Sequence, residues 1–143
     1  MKQVCSLFAA SLLAASALSA QPVPPVRDAA FCADLSRTVS AVERGRVTAL
    51  EASRAASPRF GFTQPCAAQG AGWFCHQALA PPSLSFRNLV EQVSACSPEA
   101  TRTLASGHSE AIFLIGGVRL RIAESGAPGA HVGRIVTLAI EPR

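Results

Sequence analysis

Three histidines, His76, His108 and His131, are the side chains of this sequence that could transfer protons near neutral pH. The run from Ser106 to Glu110 also places a serine, a histidine and a carboxylate close together. A hydrolytic triad needs a nucleophile, a base and an orienting group that converge in space, and the chain has neither a GxSxG nor an SxxK motif. We therefore expect a polar turn at this run and no catalytic residue.

An enzyme is the alternative hypothesis. It would be a small secreted hydrolase that uses His108 or His76 with a nearby carboxylate. A deep cleft in which two or more such groups meet would favour it, whereas groups dispersed over a shallow surface would favour a non-catalytic protein. The groups in question are His76, His108, Glu110 and Glu124.

The cysteines are the next candidates for chemistry. Four of them follow the N-terminal segment that contains Cys5, and they are Cys32, Cys66, Cys75 and Cys96. Zinc sites usually show CxxC or HExxH spacing, and the chain has neither. An even number of cysteines in an exported chain is typical of disulfides. We therefore expect two disulfide bonds, no metal and no other cofactor.

The prediction of export depends on residues 1–20, which run from one lysine through an apolar stretch to small residues. This pattern is typical of a secretory signal peptide, because the apolar stretch is too short for a good transmembrane helix. Residues 21–27 hold three prolines and should form an extended tether. Residues 28–143 would then be the single domain of a periplasmic or extracellular protein, with no stable membrane anchor after signal cleavage.

Composition and charge limit the class of protein further. The chain has 143 residues, of which 49% are hydrophobic and 15% are charged, as in one modest folded domain. Its net charge is +4, from 13 basic and 9 acidic side chains. The arginines are scattered along the chain and form no cluster, so we expect no nucleic-acid partner.

Apolar residues at helical spacing predict two amphipathic helices. The first should run from Asp28, a candidate N-cap, and be weakened at Gly45. The second should begin after a cap at Ser83 or Ser85 and end near Cys96.

Residues 60–66 and 72–78 carry aromatics and flank a glycine-rich segment, so they should form a β-hairpin. With the turn centred on Gly70-Ala71, Cys66 falls opposite Cys75, and directly opposed residues lie close enough for a disulfide.

The two predicted helices carry Cys32 and Cys96, and packing of both helices on one sheet could bring these cysteines together. Four cysteines allow three pairings, and the hairpin register favours Cys32–Cys96 with Cys66–Cys75 over the other two.

The last third of the chain is predicted to be β-sheet. Gly116-Gly117 accepts the positive φ angles of a two-residue hairpin turn, which places Phe113 opposite Leu120 on the core face. A last strand should cover 134–141. The expected fold class is α+β, in the order α-β-β-α-β-β-β, with two helices packed on one side of an antiparallel sheet and two disulfides.

The other face of this sheet carries the candidate partner-binding residues. Arginine stems that cover an ordinary sheet face would explain a mixed apolar and cationic surface. Apolar area beside guanidinium groups would also suit an anionic protein or an envelope polymer. The candidate residues are Ile112, Leu114, Arg119 and Arg121, extended by Arg134 and Ile135.

A cysteine in the first helix, a Cys-turn-Cys hairpin and a cysteine that closes the next helix in LVEQVSAC follow one another over residues 28–100. This arrangement resembles small exported, cysteine-containing proteobacterial proteins of uncharacterised function. The resemblance implies an exported α+β domain and carries no activity and no site residues with it.

The function expected from the sequence is therefore that of a non-catalytic periplasmic or secreted protein. It would act as an interaction or accessory protein of the cell envelope, with an envelope protein or polymer as its partner. A chaperone-like module that dimerises through its helices or its exposed strand face is a third class.

Overall fold

The computed structural model of the chain describes residues 26–53, 56–105, 109–126 and 133–143. The predicted signal peptide and most of the predicted tether lie outside these residues, as do His108 and His131. Within the described ranges, no helix has both the length and the apolar character needed to cross a membrane.

The described residues form helices and strands in the order α-α-β-β-α-β-β-β-β, which confirms the α+β class. The helices are α1 (Ala29–Glu43), α2 (Val47–Ala52) and α3 (Phe86–Cys96). The strands are β1 (Ala67–Gln69), β2 (Gly72–Ala78), β3 (Thr101–Leu104), β4 (Glu110–Ile115), β5 (Val118–Ser125) and β6 (Ile135–Pro142). The elements that the sequence did not predict are α2, as a separate helix, and β3.

The strands join one antiparallel sheet in the order β1-β2-β6-β5-β4-β3. The last strand in sequence, β6, therefore lies near the middle of the sheet and connects the two hairpins. Its inward side chains Val136, Leu138 and Ile140 are fully buried, as their predicted alternation requires. The core lies between this face of the sheet and the helices.

The first helix begins at its predicted cap. The carboxylate of Asp28 accepts hydrogen bonds from the backbone nitrogens of Ala30 and Phe31, at 2.9 and 3.1 Å. Gly45 follows α1 with a φ of +63°, a conformation that glycine adopts at little cost. Because this residue turns the chain, the single predicted helix is divided into α1 and α2.

Of the two serines predicted to cap α3, Ser85 does so. Its hydroxyl accepts a hydrogen bond from the backbone nitrogen of Asn88 at 3.2 Å. The helix then buries Leu89 and Val93 against the sheet and ends at Cys96, as predicted.

Both predicted disulfides are present. Cys32 of α1 is bonded to Cys96 at the end of α3, with 5.2 Å between their Cα atoms. Cys66 is bonded to Cys75 of β2, with 4.3 Å between their Cα atoms. These bonds indicate that the chain matures in an oxidising compartment.

The first strand of the predicted N-terminal hairpin is shorter than expected. The register of β1 with β2 is the predicted one and places Cys66 opposite Cys75. Residues 60–66, however, form no strand. Phe60 has a φ of +52° and turns the chain, and Pro65 has no backbone N–H to donate to a ladder. The strand therefore begins only after Pro65.

The C-terminal hairpin follows its predicted register, with Phe113 opposite Leu120. Gly116 has a φ of +56°, as the tight turn requires. The turn also receives a contact from the helix layer, because the carboxylate of Glu43 accepts a hydrogen bond from the backbone nitrogen of Gly117.

Candidate interaction surface

The outer face of the sheet is the side turned away from the three helices, and it carries the four predicted site residues. Strand pairing places Ile112 opposite Arg121 and Leu114 opposite Arg119. Because directly opposed side chains of an antiparallel pair are neighbours, the four residues form one cluster on β4 and β5. The sequence predicted this grouping correctly; a role in binding stays a prediction.

Each arginine of the cluster has a carboxylate partner that the sequence analysis missed. Nη2 of Arg119 lies 2.8 Å from Oε2 of Glu141 on β6. Nε of Arg121 lies 2.5 Å from Oε1 of Glu110 on β4. Glu110 could have been found, because it is two residues before Ile112 and so shares its face. Glu141 could not, because the pairing of β6 with β5 was not predicted.

These ion pairs change the expected electrostatics of the outer face. The hydrogen bond from Arg121 lowers the pKa of Glu110 below its ordinary value, and the pKa of Arg121 is raised by the same bond. Both groups are charged at neutral pH. The charges of the two arginines and their two glutamate partners then sum to zero, so the cluster is less cationic than the sequence suggested. An anionic partner has to compete with these carboxylates for the guanidinium groups.

The exposure of the cluster follows the amphipathic character of arginine. The side chains of Arg119 and Arg121 are 52% and 51% exposed. Ile112 and Leu114 beside them are half-buried, because neighbouring side chains cover part of their surface. The apolar part of the face is therefore accessible only in part while the arginines stay in this position.

The part of the outer face that lies on β2 is aromatic. Phe74 and His76 of β2 lie on it, with their rings within 16° of parallel and their centroids 6.5 Å apart. Phe74 pairs with Ala139 and His76 with Thr137, both on β6. Small side chains thus separate the aromatic pair from the ionic cluster. The aromatic pair could have been recognised, because Phe74 and His76 are two residues apart on the strand predicted at 72–78. Its place beside the ionic cluster could not, because no local pattern predicts that β6 joins β2.

Of the groups proposed for a hydrolase, the three that the structure describes do not meet, and His108 lies outside the described residues. His76 and Glu110 lie in one row of the outer face, with Thr137 and Ala123 between them. Three strand spacings of about 4.8 Å separate them by roughly 14 Å. Glu124 points to the helix side, where its carboxylate accepts a hydrogen bond from the backbone nitrogen of Phe86 at 2.8 Å.

Arg134 does not extend the outer face, contrary to the sequence-based expectation. Its Nη2 donates to the backbone oxygens of Ala80, Pro81 and Leu84, at 2.8, 2.7 and 3.1 Å. Its Nη1 lies 3.5 Å from Oε1 of Glu124. The arginine therefore holds the β2–α3 loop against the sheet. Ile135 does belong to the outer face, where it pairs with Ala78.

A cavity of about 390 Å³ lies between α1, α3 and the turn at Phe60. Its floor is apolar, and its carboxylates already have partners within the fold. These pairs are Asp28 with the first turn of α1, Asp34 with Arg37 and the backbone nitrogen of Arg59, and Glu91 with Arg87. The carboxylates thus support the helices and offer no free acid–base pair.

Among the residues that the structure describes, no group of three histidine, cysteine, aspartate or glutamate side chains is placed to hold a metal ion. All four cysteines after Cys5 are in disulfides, so none of them is a free thiol nucleophile.

No protein-family model matches the chain, and searches of curated proteins and of solved structures return no match either. The function therefore has to be inferred from the geometry described above.

Proposed function

We propose that this chain is a non-catalytic protein of the periplasm or the extracellular space that binds a macromolecule of the cell envelope through the outer face of its sheet. The observation that carries this proposal is the arrangement of Ile112, Leu114, Arg119 and Arg121 as direct cross-strand neighbours on the face without helices. Apolar side chains and guanidinium groups in one accessible cluster are typical of protein interfaces.

Export is supported by two independent features. The disulfides Cys32–Cys96 and Cys66–Cys75 fit an oxidising compartment, since cytosolic thiols are kept reduced. Residues 1–20 have the lysine, apolar stretch and small residues of a signal peptide.

The ion pairs favour a partner that carries its own carboxylates or phosphates. Such a partner could replace Glu110 and Glu141 as the acceptors of Arg121 and Arg119, exchanging one ion pair for another. Movement of the arginines would uncover Ile112, whose burial under the partner then contributes apolar contact. Binding of this kind should weaken as the salt concentration rises.

The separation of His76 from Glu110 and Glu124 supports a binding role over a hydrolase that uses His76. His76 and Glu110 are about 14 Å apart by strand spacing, and Glu124 is on the other side of the sheet. A histidine and a carboxylate at such a distance cannot share a proton directly.

A crosslinking pull-down from the native envelope tests the proposal. The bait is the mature, disulfide-bonded chain, and the test variant combines Arg119→Glu with Leu114→Ser. A matched control is Arg87→Glu, the same charge change on an exposed arginine of α3. We expect the captured partners to be lost with the double variant and kept with the control. Unchanged partners for a double variant with a wild-type circular dichroism spectrum would contradict the proposal.

A further inference from the structure

The two edges of the sheet differ in how their backbone groups are satisfied. At the β1 edge, the backbone nitrogen of Ala68 donates to Oε1 of Glu51 on α2 at 3.4 Å. β1 is only three residues long, and Pro65 just before it has no N–H to offer to a further strand. Short strands, prolines and cover by a neighbouring element commonly prevent a sheet from extending at its edge. The β1 edge is thus closed within the fold.

The β3 edge lacks this protection in the part of the chain that the structure describes. β3 is the last strand of the sheet, and all four of its side chains are exposed, so the described helices cover neither of its faces. It contains no proline. Arg102 is its only charged residue, and a charge on an edge opposes pairing only in registers that bring like charges together.

The ladder between β3 and β4 shows which backbone groups point to the open edge. The backbone nitrogen of Ala105 donates to the backbone oxygen of Glu110, its cross-strand partner, at 2.9 Å. Backbone groups alternate in direction along a strand, so those of Arg102 and Leu104 point away from β4. Among the described residues, nothing forms a hydrogen bond with the N–H and C=O groups of these two residues.

A row of outward N–H and C=O groups is complementary to an extended strand. In an antiparallel copy of β3 centred on Thr103, Arg102 of each copy lies opposite Leu104 of the other, and every outward group is bonded. A register centred on Arg102 opposes two like charges, and one centred on Leu104 leaves Arg102 without a partner in β3. β3 is therefore complementary to itself about a two-fold axis at Thr103, as a symmetric dimer requires.

The side chains of β3 fit the same register. Leu104 is 43% exposed, one of the few large hydrophobic side chains that the fold leaves open. The aliphatic stem of Arg102 from the other copy would cover it on the helix side of the sheet. On the outer face, Thr103 would meet Thr103 of the other copy, and cross-strand threonine pairs are favourable. A second copy thus accounts for the open backbone groups and for the exposed leucine together.

We propose that the chain forms a symmetric dimer through β3, in which two six-stranded sheets join into one. This inference goes beyond the proposed function, because the dimer needs no envelope partner. The dimer places the outer faces of both copies on one continuous surface. Ile112 pairs with Thr103, so three strand spacings, or roughly 14 Å, separate the Ile112 residues of the two copies. One large partner can then contact both clusters.

Cysteine crosslinking of the purified, disulfide-bonded chain tests the register. Thr103→Cys places two thiols in a non-hydrogen-bonded pair with about 4.5 Å between Cα atoms, which is within disulfide range. Thr101→Cys is the matched control, because it lies on the same face of β3 but opposite Ala105 of the other copy. We expect mild oxidation to give a covalent dimer from Thr103→Cys and a monomer from Thr101→Cys. No dimer from Thr103→Cys, or equal yields from both variants, would overturn the proposal.

Sedimentation equilibrium of the same chain tests the dimer without a crosslink. A ladder of this length is a small interface, so we expect a reversible dimer that dissociates on dilution. Leu104→Glu places a carboxylate opposite Arg102 of the other copy, whereas Leu104→Arg places a like charge there. Two such pairs per dimer suggest a Kd about tenfold higher for Leu104→Arg than for Leu104→Glu. Adding Arg102→Glu to Leu104→Arg should restore the tighter dimer, and Arg87→Glu on α3 should leave the wild-type Kd unchanged.

A chain that stays monomeric up to millimolar concentration would overturn the proposal, as would equal Kd values for Leu104→Glu and Leu104→Arg. These experiments contain no envelope component, so their failure would leave the proposed function standing. Conversely, a pull-down in which the Arg119→Glu, Leu114→Ser variant keeps its partners would reject binding through the outer face and leave the dimer standing.

Discussion

Glu43, the last residue of α1, accepts a hydrogen bond at 2.8 Å from the backbone nitrogen of Gly117 in the turn between β4 and β5. The two residues are 74 positions apart in the sequence. The bond ties the end of the first helix to the C-terminal hairpin. A Cβ atom on the neighbouring Gly116 would collide with the same carboxylate oxygen.

Replacement of Gly116 by alanine should therefore destabilise the fold for two reasons. The φ of +56° costs a residue with a Cβ roughly 1 kcal/mol, and the added Cβ would push the flexible end of Glu43 away from its hydrogen bond with Gly117. The control is Gly45→Ala, where φ is +63° but no atom lies within 4 Å of the added Cβ. We expect urea denaturation to show a larger loss of unfolding free energy for Gly116→Ala than for Gly45→Ala. Adding Glu43→Ala should reduce the difference, and equal losses at the two glycines would contradict this account.

The two disulfides should contribute unequally to stability. Cys32–Cys96 closes a loop of 64 residues and Cys66–Cys75 a loop of 9. In the chain-entropy model these loops correspond to about 4 and about 3 kcal/mol. The variant without Cys32 and Cys96 should consequently have the lower denaturation midpoint of the two paired cysteine-to-alanine variants. A lower midpoint for the hairpin variant would show that loop length does not decide the contribution.

The pKa of Glu110 is lowered in the folded chain by the hydrogen bond from Arg121. A carboxyl group with a lower pKa in the folded state than in the unfolded state stabilises the fold above its unfolded pKa. That contribution is lost as the pH falls through the folded pKa. Carbon-detected NMR should therefore give Glu110 a titration midpoint below that of an ordinary glutamate. Arg121→Gln should move the midpoint upwards, and an unchanged midpoint would mean that the ion pair does not form in solution.

Arg134 should matter far more for stability than an exposed arginine does. It donates to the backbone oxygens of Ala80, Pro81 and Leu84, which lose this partner in Arg134→Ala. Hydrogen bonds from charged groups to partly buried acceptors suggest a loss of roughly 2 kcal/mol. Arg87→Ala is the control, because its ion pair with Glu91 is exposed and should contribute less than about 1 kcal/mol. Thermal unfolding that ranks the two variants equally would refute the structural role of Arg134.

Local sequence patterns were sufficient to predict much of this fold. The cap at Asp28 and the glycine turn at 116–117 depend only on neighbouring residues, and both lie where the patterns placed them. The spacing of Cys66 and Cys75 fixed the hairpin register and, through it, the cysteine pairing. Period-two alternation in β4 and β5 identified the inward and outward side chains of the candidate cluster.

Long-range pairing could not be predicted in the same way. The position of β6 between β2 and β5 follows from packing of the whole sheet, and no local pattern encodes it. For that reason the proximity of Phe74 to the candidate face and the pairing of Glu141 with Arg119 were both missed. β3 was missed because all four of its side chains are exposed, so it lacks alternation. The three hydrogen-bond acceptors of Arg134 are backbone oxygens, which leave no trace in the sequence.

In vivo photo-crosslinking in the native host tests most directly whether the outer face binds a partner. The probe is placed at Thr137, in the centre of that face, and in a matched control at exposed Glu91 on α3. We expect a discrete adduct with an envelope component from Thr137, absent from Glu91 and lost when Arg119→Glu and Leu114→Ser are added. The same adducts from both positions, or none from Thr137, would contradict binding through the outer face.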